Sequence, residues 1–481
     1  MIEDALTLQK STGVLGHRQE LYSVVREWLL VTIFLLLWAY IHYNFYGIYS
    51  VLIQCLILAA YYVSKKNYLW IYLLMFVSFS PGGIFNPNRS LPLIIISAPV
   101  WGAVTFQMAF ILVTWLKILK KPSAVFYLNR YIVIIVYFLF LLLIFGARIP
   151  TFIRTLISYS ALLAIPLLLT SAGEFDKISV MVLLANLLVF TANAVQIASG
   201  SLLLSLVSPY SYSAAVDQDS LIRATDGIPF AFLSVIISMM YLSKEKSIVN
   251  PLFSYTGFFL GVLNIIFSAT RGWIISSVFL ILGYSFFLLP RLFRNLMIIV
   301  PILVITAGIT WRIPFVRSQI VKAYNRTLYF ENLTNPDFNP ETTDIGRVIR
   351  GGRVMNKFRE SPVLGFGFGK EAMEYMDGHA GNQTMLLNFG IIGYALFVNL
   401  WLGFIILLLS NTRILFKHND PEYKINILVA LSFLSFFLIH STSGSFLHPM
   451  GGYMGNVICG IIFAYGNNLY YKQRKQYIAT S

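Results

Sequence analysis

The residues best able to do chemistry here are arginines next to one histidine, and together they suit an anionic substrate. Arg271 stands in Ser268-Ala269-Thr270-Arg271-Gly272, at a sharp turn between two strongly apolar helices, where its guanidinium can face an anionic ligand at a membrane surface. Snorkelling of a helix-end arginine to the interface accounts for the same position equally simply. The run from Thr342 to Arg353, continuing through Lys357 to Pro362, reads as a capped external helix: Thr343 or Asp344 caps it and Pro362 stops it. Spacings of three and four then set Arg347, Arg350, Arg353 and Lys357 along one stripe, which can grip phosphate or lipid head groups. The pair Gly351-Gly352 weakens that helix.

Two further stretches follow. In Pro362-Val363-Leu364-Gly365-Phe366-Gly367-Phe368-Gly369-Lys370 every second residue from Gly365 is glycine. The string lacks both the dinucleotide fingerprint and the Lys-Ser/Thr ending of a P-loop, so a turn that lets two backbones approach closely is a better reading than a phosphate cradle. Then comes His379-Ala380-Gly381-Asn382-Gln383-Thr384 at the mouth of an apolar helix that carries Asn388, Gly390 and Gly393. Of the six histidines, only His379 lies beside both a basic loop and a helix start, where a neutral imidazole can take a proton; His440 and His448 are its nearest rivals. Asp217-Gln218-Asp219 superficially fits a metal-binding pair, but a solvated loop is the simpler account.

These groups need a scaffold, and composition identifies it. With 57% hydrophobic and 11% charged residues over 481 positions, the chain is too apolar for a soluble domain and is expected to cross a bilayer many times as α-helices. The first 25 residues contain charges and no apolar run, so no removable signal is expected. Cys55 and Cys459 fall inside predicted spans and suggest no disulfide framework. Apolar runs predict about fourteen helices (twelve to fourteen), near 27–46, 48–64, 68–80, 91–116, 131–147, 152–171, 178–199, 228–242, 251–268, 272–289, 295–311, 384–410, 425–440 and 451–468. Residues 1–26 and 469–481 form cytoplasmic ends; 27–311 holds the first eleven spans with an external segment near 200–227; 312–383 is a large, partly helical external loop; and 384–468 holds the last three. With both ends inside, Lys65, Lys66, Lys117, Lys120, Lys121, Lys244, Lys246, Arg291, Arg294, Arg413, Lys417 and the tail cations all fall on the cytoplasmic side. The net charge of +15 is therefore a matter of topology, and no nucleic-acid partner is expected. Many of the aromatics, such as Tyr40, Tyr43, Tyr46, Tyr61 and Tyr62, stand near span ends as interface anchors.

The order Ser-x-Thr-Arg-Gly between helices, Arg347 fifteen residues before Pro362, the P-x-x-G-x-G-x-G string, and His379 eleven residues before Gly390 resembles the O-antigen ligase and O-antigen polymerase family over residues 260–400. Arg223-Ala224-Thr225-Asp226-Gly227-Ile228-Pro229 is similar to that family's arginine-glycine-proline segment. The resemblance implies a multi-span, GT-C-like glycosyltransferase of a bacterial cytoplasmic membrane, with its site on the outer, periplasmic face. It would need no nucleotide sugar, cofactor or metal. Its donor would be a glycan on polyprenyl (undecaprenyl) diphosphate, with membrane lipids and a chain-length regulator protein as further partners. By position, Arg271 and Arg347 would contact the donor diphosphate and His379 would activate the acceptor hydroxyl, while Arg223, Arg350, Arg353, Gly367 and Asn382 would line the substrate site. Ala380 stands where the family often has asparagine, and Asn388 where it often has an acidic residue. The leading expectation is a polysaccharide polymerase. The alternative is a ligase that moves the glycan to lipid A core or another acceptor, and a flippase is a third reading that lacks the expected mid-span charges and repeated halves.

Overall fold

In a bilayer, long uncharged runs leave the backbone no solvent to bond, so its amides and carbonyls pair within each segment and the chain is predominantly α-helical. A computed structural model describes residues 2–45, 48–79, 93–98, 102–120, 123–146, 149–199, 227–243, 249–268, 270–287, 345–378, 380–442, 447–449 and 453–477, with isolated positions between 301 and 321. Side chains at 2–19, 43, 93–98, 102, 103, 196–199, 271, 287, 345–350, 442 and 453 lie outside that description. The helices are α1 (Ile2–Asn44), α2 (Ile48–Val63), α3 (Asn67–Phe79), α4 (Phe106–Ile118), α5 (Leu128–Phe145), α6 (Ile149–Leu168), α7 (Ala172–Ser199), α8 (Ile228–Ser243), α9 (Pro251–Phe267), α10 (Arg271–Phe287), α11 (Ile345–Phe358), α12 (Lys370–Tyr375), α13 (Gly381–Lys417), α14 (Tyr423–Thr442) and α15 (Tyr453–Tyr477).

Among the described residues, six helical segments are long and apolar enough to cross a membrane: Glu20–His42, Leu128–Phe145, Ile149–Leu168, Ala172–Val195, Gly381–Lys417 and Tyr423–Ser441. Large apolar side chains on their outer faces, such as Leu30, Ile33, Val136, Leu143 and Ile406, are exposed, as a lipid-covered surface requires. The protein is therefore a helical integral membrane protein. Shorter apolar helices, α2, α3, α4, α8, α9 and most of α10, complete the bundle.

One expected span is corrected. The run 91–116 forms a two-stranded antiparallel hairpin, Leu93–Ala98 (β1) against Gly102–Thr105 (β2), with Leu93 opposite Thr105 and Ala98 opposite Gly102, followed by α4. Pro99 removes an amide donor and disfavours a continuous helix there, and Ile94-Ile95-Ile96 favours extended backbone. Thr105 then caps α4 by accepting from the Met108 amide at 3.3 Å. The expected span near 295–311 and the external segment near 200–227 fall largely or wholly outside the described residues.

Small residues let the helices close on one another. A Cβ at Gly261 would lie 2.8 Å from the Ala231 carbonyl, and one at Gly460 would lie 2.8 Å from that of Ala161, so α9 packs on α8 and α15 on α6 nearly backbone to backbone. Enclosure also lets α15 carry amides inside the bundle: Asn456 donates to Ser158 Oγ at 2.8 Å and Asn467 to the Ala124 carbonyl at 3.1 Å.

Of the cations that sequence assigns to one side, Lys66, Lys117 and Lys472 lie at one end of the bundle: Lys117 donates to the Ser64 and Tyr61 carbonyls, Lys66 pairs with Glu27 and Lys472 with Glu422, and Lys177, paired with Glu20, lies there too. The starts of α8 and α10 lie at the opposite end. The α8 terminus is pinned there by the Gly227 amide, which donates to the Phe79 carbonyl, whereas Tyr241 at the far end of α8 bonds Asp176 at the start of α7.

Candidate functional site

The geometry at that second end is set by a break in α13. Gly390 adopts φ +63°, outside helical space, and so divides Gly381–Lys417 into a short first arm and a long second one. The break frees backbone groups that cannot stay unpaired in an apolar core, and the glycine string takes them up. Phe366 N–H donates to the Leu387 carbonyl at 2.9 Å, and Gly367 N–H to that of Asn388 at 2.7 Å. In return Ile391 N–H donates to the Pro362 carbonyl at 2.9 Å and Ile392 N–H to that of Val363 at 3.3 Å. The Tyr137 hydroxyl caps the Phe389 carbonyl at 2.7 Å. Phe368, carried by the same string, is fully buried among Phe138, Phe152 and Phe389.

The close backbone approach expected of the string is thus present, with Gly365 at φ +69° and Gly367 at φ +58°. Gly367, expected to contact substrate, is buried with its amide committed to Asn388, which gives it a packing role.

The amphipathic helix α11 docks on the first arm of α13. Val354 and Phe358 bury against Leu387, with Met355, Tyr375 and Met376 around them. Its Gly351-Gly352 pair does not break it, because docking outweighs propensity, and a Cβ at Gly351 would already lie 3.9 Å from Gln383 Nε2. On its charged side, the Arg353 guanidinium lies exposed 4.8 Å over the Tyr375 ring. Lys357 is neutralised within the protein by Glu360 and Glu371, each at 2.6 Å, and these partners, Glu360 first, hold its pKa well above the usual lysine range. It therefore drops out of the anion-gripping stripe.

The turn before α13 is pinned as well. Thr384 Oγ1 donates to the Asp377 carbonyl at 2.8 Å and accepts the Asp377 amide at 3.1 Å. Asn382 donates to Ser441 Oγ at 2.8 Å and accepts from the Tyr394 hydroxyl at 3.4 Å, tying α13 to the end of α14. A Cβ at Gly381 would collide with His440, so those two helix ends touch.

Helix α10 runs antiparallel to α14. Gly283 sits against Leu431 toward one end, and toward the other Trp273 and Phe436 both pack on Phe232, with ring centroids 5.4 Å apart in each pair. The α10 start, which carries Arg271, therefore lies at the same end as His440, Ser441 and Gly381. The fold places at one end of the bundle, as backbone, the start of α10, the basic helix α11 with Arg347 and Arg350, and the start of α13. His379 itself, Arg223, Asp217 and Asp219 lie outside the described residues, as do the side chains of Arg271, Arg347 and Arg350.

Of the rival histidines, His448 is fully buried. Burial, with His440 nearby acting the same way, pushes its pKa down to about 3, which makes it a poor base near neutrality. His440 is also fully buried, but its ring lines an apolar groove between α13 and α14. In the sequence His440 stands only as a rival to His379 and nothing marks the groove, because Tyr394, Trp401 and Phe433 read as ordinary core residues. The chain matches no protein-family model and no curated protein sequence.

Proposed function

We propose that this protein is a membrane glycosyltransferase of the O-antigen polymerase type. It would transfer a growing glycan from polyprenyl diphosphate onto the sugar of another lipid-linked repeat unit, at the outer face of the cytoplasmic membrane. What supports the reading is that the α10 start, α11 and the mouth of α13 all lie at the end of the bundle remote from the lysine-rich loops.

The chemistry follows from what such a transfer needs. The acceptor hydroxyl oxygen bonds to the anomeric carbon of the donor, the bond from that carbon to the diphosphate oxygen breaks, and the diphosphate leaves on its polyprenyl carrier with the electron pair. Charge grows on the leaving group, and fixed guanidinium groups of Arg271 and Arg347 would stabilise it. Arg350 and Arg353, on the same helix, would extend the basic field along the diphosphate and the first sugars. His379 would accept the hydroxyl proton. The first arm of α13 also begins here, with its amide ends and positive dipole end favouring an anion.

Purified protein supplied with one lipid-linked repeat unit should give a ladder of longer lipid-linked glycans and release free polyprenyl diphosphate. Product that forms only when a second, non-polyprenyl acceptor is added would make the enzyme a ligase, and absence of product with either would refute the assignment.

A further inference from the structure

Helix α5 begins at the lysine-rich end of the bundle, opposite the candidate site, where Ser123 just before it donates to the Leu167 carbonyl at 2.8 Å, close to the start of α7. Its third residue, Arg130, is half-buried. The guanidinium lies against Gly403 in the second arm of α13, so closely that a Cβ at Gly403 would collide with it. Among the described residues that guanidinium makes no hydrogen bond and no ion pair. The carboxylates at this end are engaged elsewhere: Glu20 with Lys177, Glu27 with Lys66, Glu422 with Lys472 and Asp420 with the Tyr477 hydroxyl.

The surroundings of this charge are those of a lipid-covered surface. Leu128, Ile132 and Val133 of α5 are exposed, and so are Asn399 and Ile406, one turn to either side of Gly403 on α13. An arginine that merely snorkels reaches away from its helix into water and needs no glycine on a neighbour. Arg130 is instead held between two helices, with its donors uncommitted, and a charge so placed is costly until an anion meets it. Its planar fork matches two oxygens of a phosphate. The setting favours an anion further. The Asn129 and Arg130 amides in the first turn of α5 reach no backbone carbonyl, and Tyr127 supplies no side-chain cap. Arg474 adds a second cation nearby: it lies 5.0 Å over the Tyr470 ring, whose centroid is 4.3 Å from that of Phe126, four residues before Arg130.

We infer that the crevice between the start of α5 and Gly403 of α13 binds an anionic glycerophospholipid of the adjoining leaflet, with the Arg130 guanidinium on its phosphate and its acyl chains along Ile132, Val133 and Ile406. A zwitterionic lipid fits less well. Its ammonium group would need a carboxylate, those at this end already have partners, and Arg474 would repel it. The bound lipid joins α5 to the second arm of α13, the same two helices that the Tyr137 hydroxyl ties together at the Phe389 carbonyl near the other end. The site is independent of the glycosyltransferase reading.

The probe is phosphatidylglycerol, titrated into delipidated full-length protein in detergent and followed by native mass spectrometry. The first phosphatidylglycerol should bind about tenfold more tightly than the first phosphatidylcholine, and Arg130→Gln should abolish that preference. Gly403→Ala leaves every charge in place and displaces only the guanidinium, so it should weaken the first binding event about fivefold. It also keeps the test decisive if Arg130→Gln fails to fold. Arg413→Gln removes an exposed cation elsewhere on α13 and should leave the first binding event unchanged. Equal binding of the two lipids, undiminished binding in Gly403→Ala, or a loss in Arg413→Gln as large as in Arg130→Gln would overturn the inference. So would displacement of phosphatidylglycerol by equimolar inorganic phosphate, which would make this a simple anion site without a role for the acyl chains.

Discussion

Gly365 and Gly390 lie so close that neither position has room for a side chain. A Cβ on Gly365 would sit 2.6 Å from the Gly390 nitrogen, and one on Gly390 would run into the Val363 backbone. Both also hold positive φ, at +69° and +63°. Gly390→Ala and Gly365→Ala should each cost at least about 2–3 kcal/mol, from strain plus backbone collision. Gly367→Ala should cost less, about 1–2 kcal/mol, because its φ of +58° is unfavourable but a Cβ there meets Phe145 and Leu141 only at ordinary contact distances of 3.4–3.5 Å. Thermal unfolding in detergent gives the ranking, and equal losses at all three positions would contradict the interlock.

Lys357 and Arg347 share a helix but should behave differently. Lys357 is already paired with Glu360 and Glu371, so Lys357→Gln should change transfer activity by less than about fivefold. Arg347→Ala should lower it about a hundredfold or more if its charge meets the leaving diphosphate. The raised pKa of Lys357 means its bridges are fully present below the ordinary lysine range and are lost only as pH climbs through the raised value. Stability should therefore show no Lys357-dependent change between about pH 6 and pH 9. A comparison of unfolding temperatures of the wild type and Lys357→Gln across that range tests this.

The sequence makes the helical membrane class legible because charge-free runs such as Tyr131–Phe145 have no other stable form in lipid. Glycine at alternate positions from Gly365 announces close backbone contact, but its partner does not show: Gly390 lies over twenty residues away inside an apolar run that reads as an unbroken helix. Likewise Lys357 belongs to the basic stripe by spacing, and only folding brings Glu371 to it. The hairpin at Leu93–Thr105 was hidden because hydropathy weighs Ile94-Ile95-Ile96 like a span and takes no account of Pro99.

Asn186, Asn193 and Asn264 form a chain of amides inside the bundle. Asn264 donates to Asn186 Oδ1 at 2.9 Å, Asn193 donates to Asn264 Oδ1 at 3.2 Å, and Asn186 donates to Ser234 Oγ at 3.1 Å and the Gly257 carbonyl at 3.2 Å. This clamps α7, α8 and α9 where lipid offers no substitute partner. Asn186→Leu should cost about 1–2 kcal/mol. Combining it with Asn264→Leu should cost less than the sum of the single losses, since the two share a bond. Additive losses in detergent melts would show that the amides act independently.

The docking of α11 is the contact that holds the basic stripe beside the mouth of α13, and it rests on few side chains: Val354, Phe358 and Leu387. Val354 is 1% exposed, so Val354→Asp would bury a carboxylate against Phe358 and Leu387, at a cost of several kcal/mol. Local opening of α11 is cheaper than accepting that cost, while the membrane bundle has no reason to unfold. Trypsin cuts after Arg347, Arg350 and Arg353, so cleavage within α11 should accelerate about tenfold or more in Val354→Asp while the thermal midpoint of the bundle stays near that of the parent. On the proposed function, transfer activity should fall with it, because opening would carry the guanidinium groups away from the donor. Glu360→Gln, which alters the same helix end without touching the apolar contact, should leave the cleavage rate close to the parent's. Cleavage at the parental rate in Val354→Asp would mean that this apolar cluster is not what holds the arginines in place.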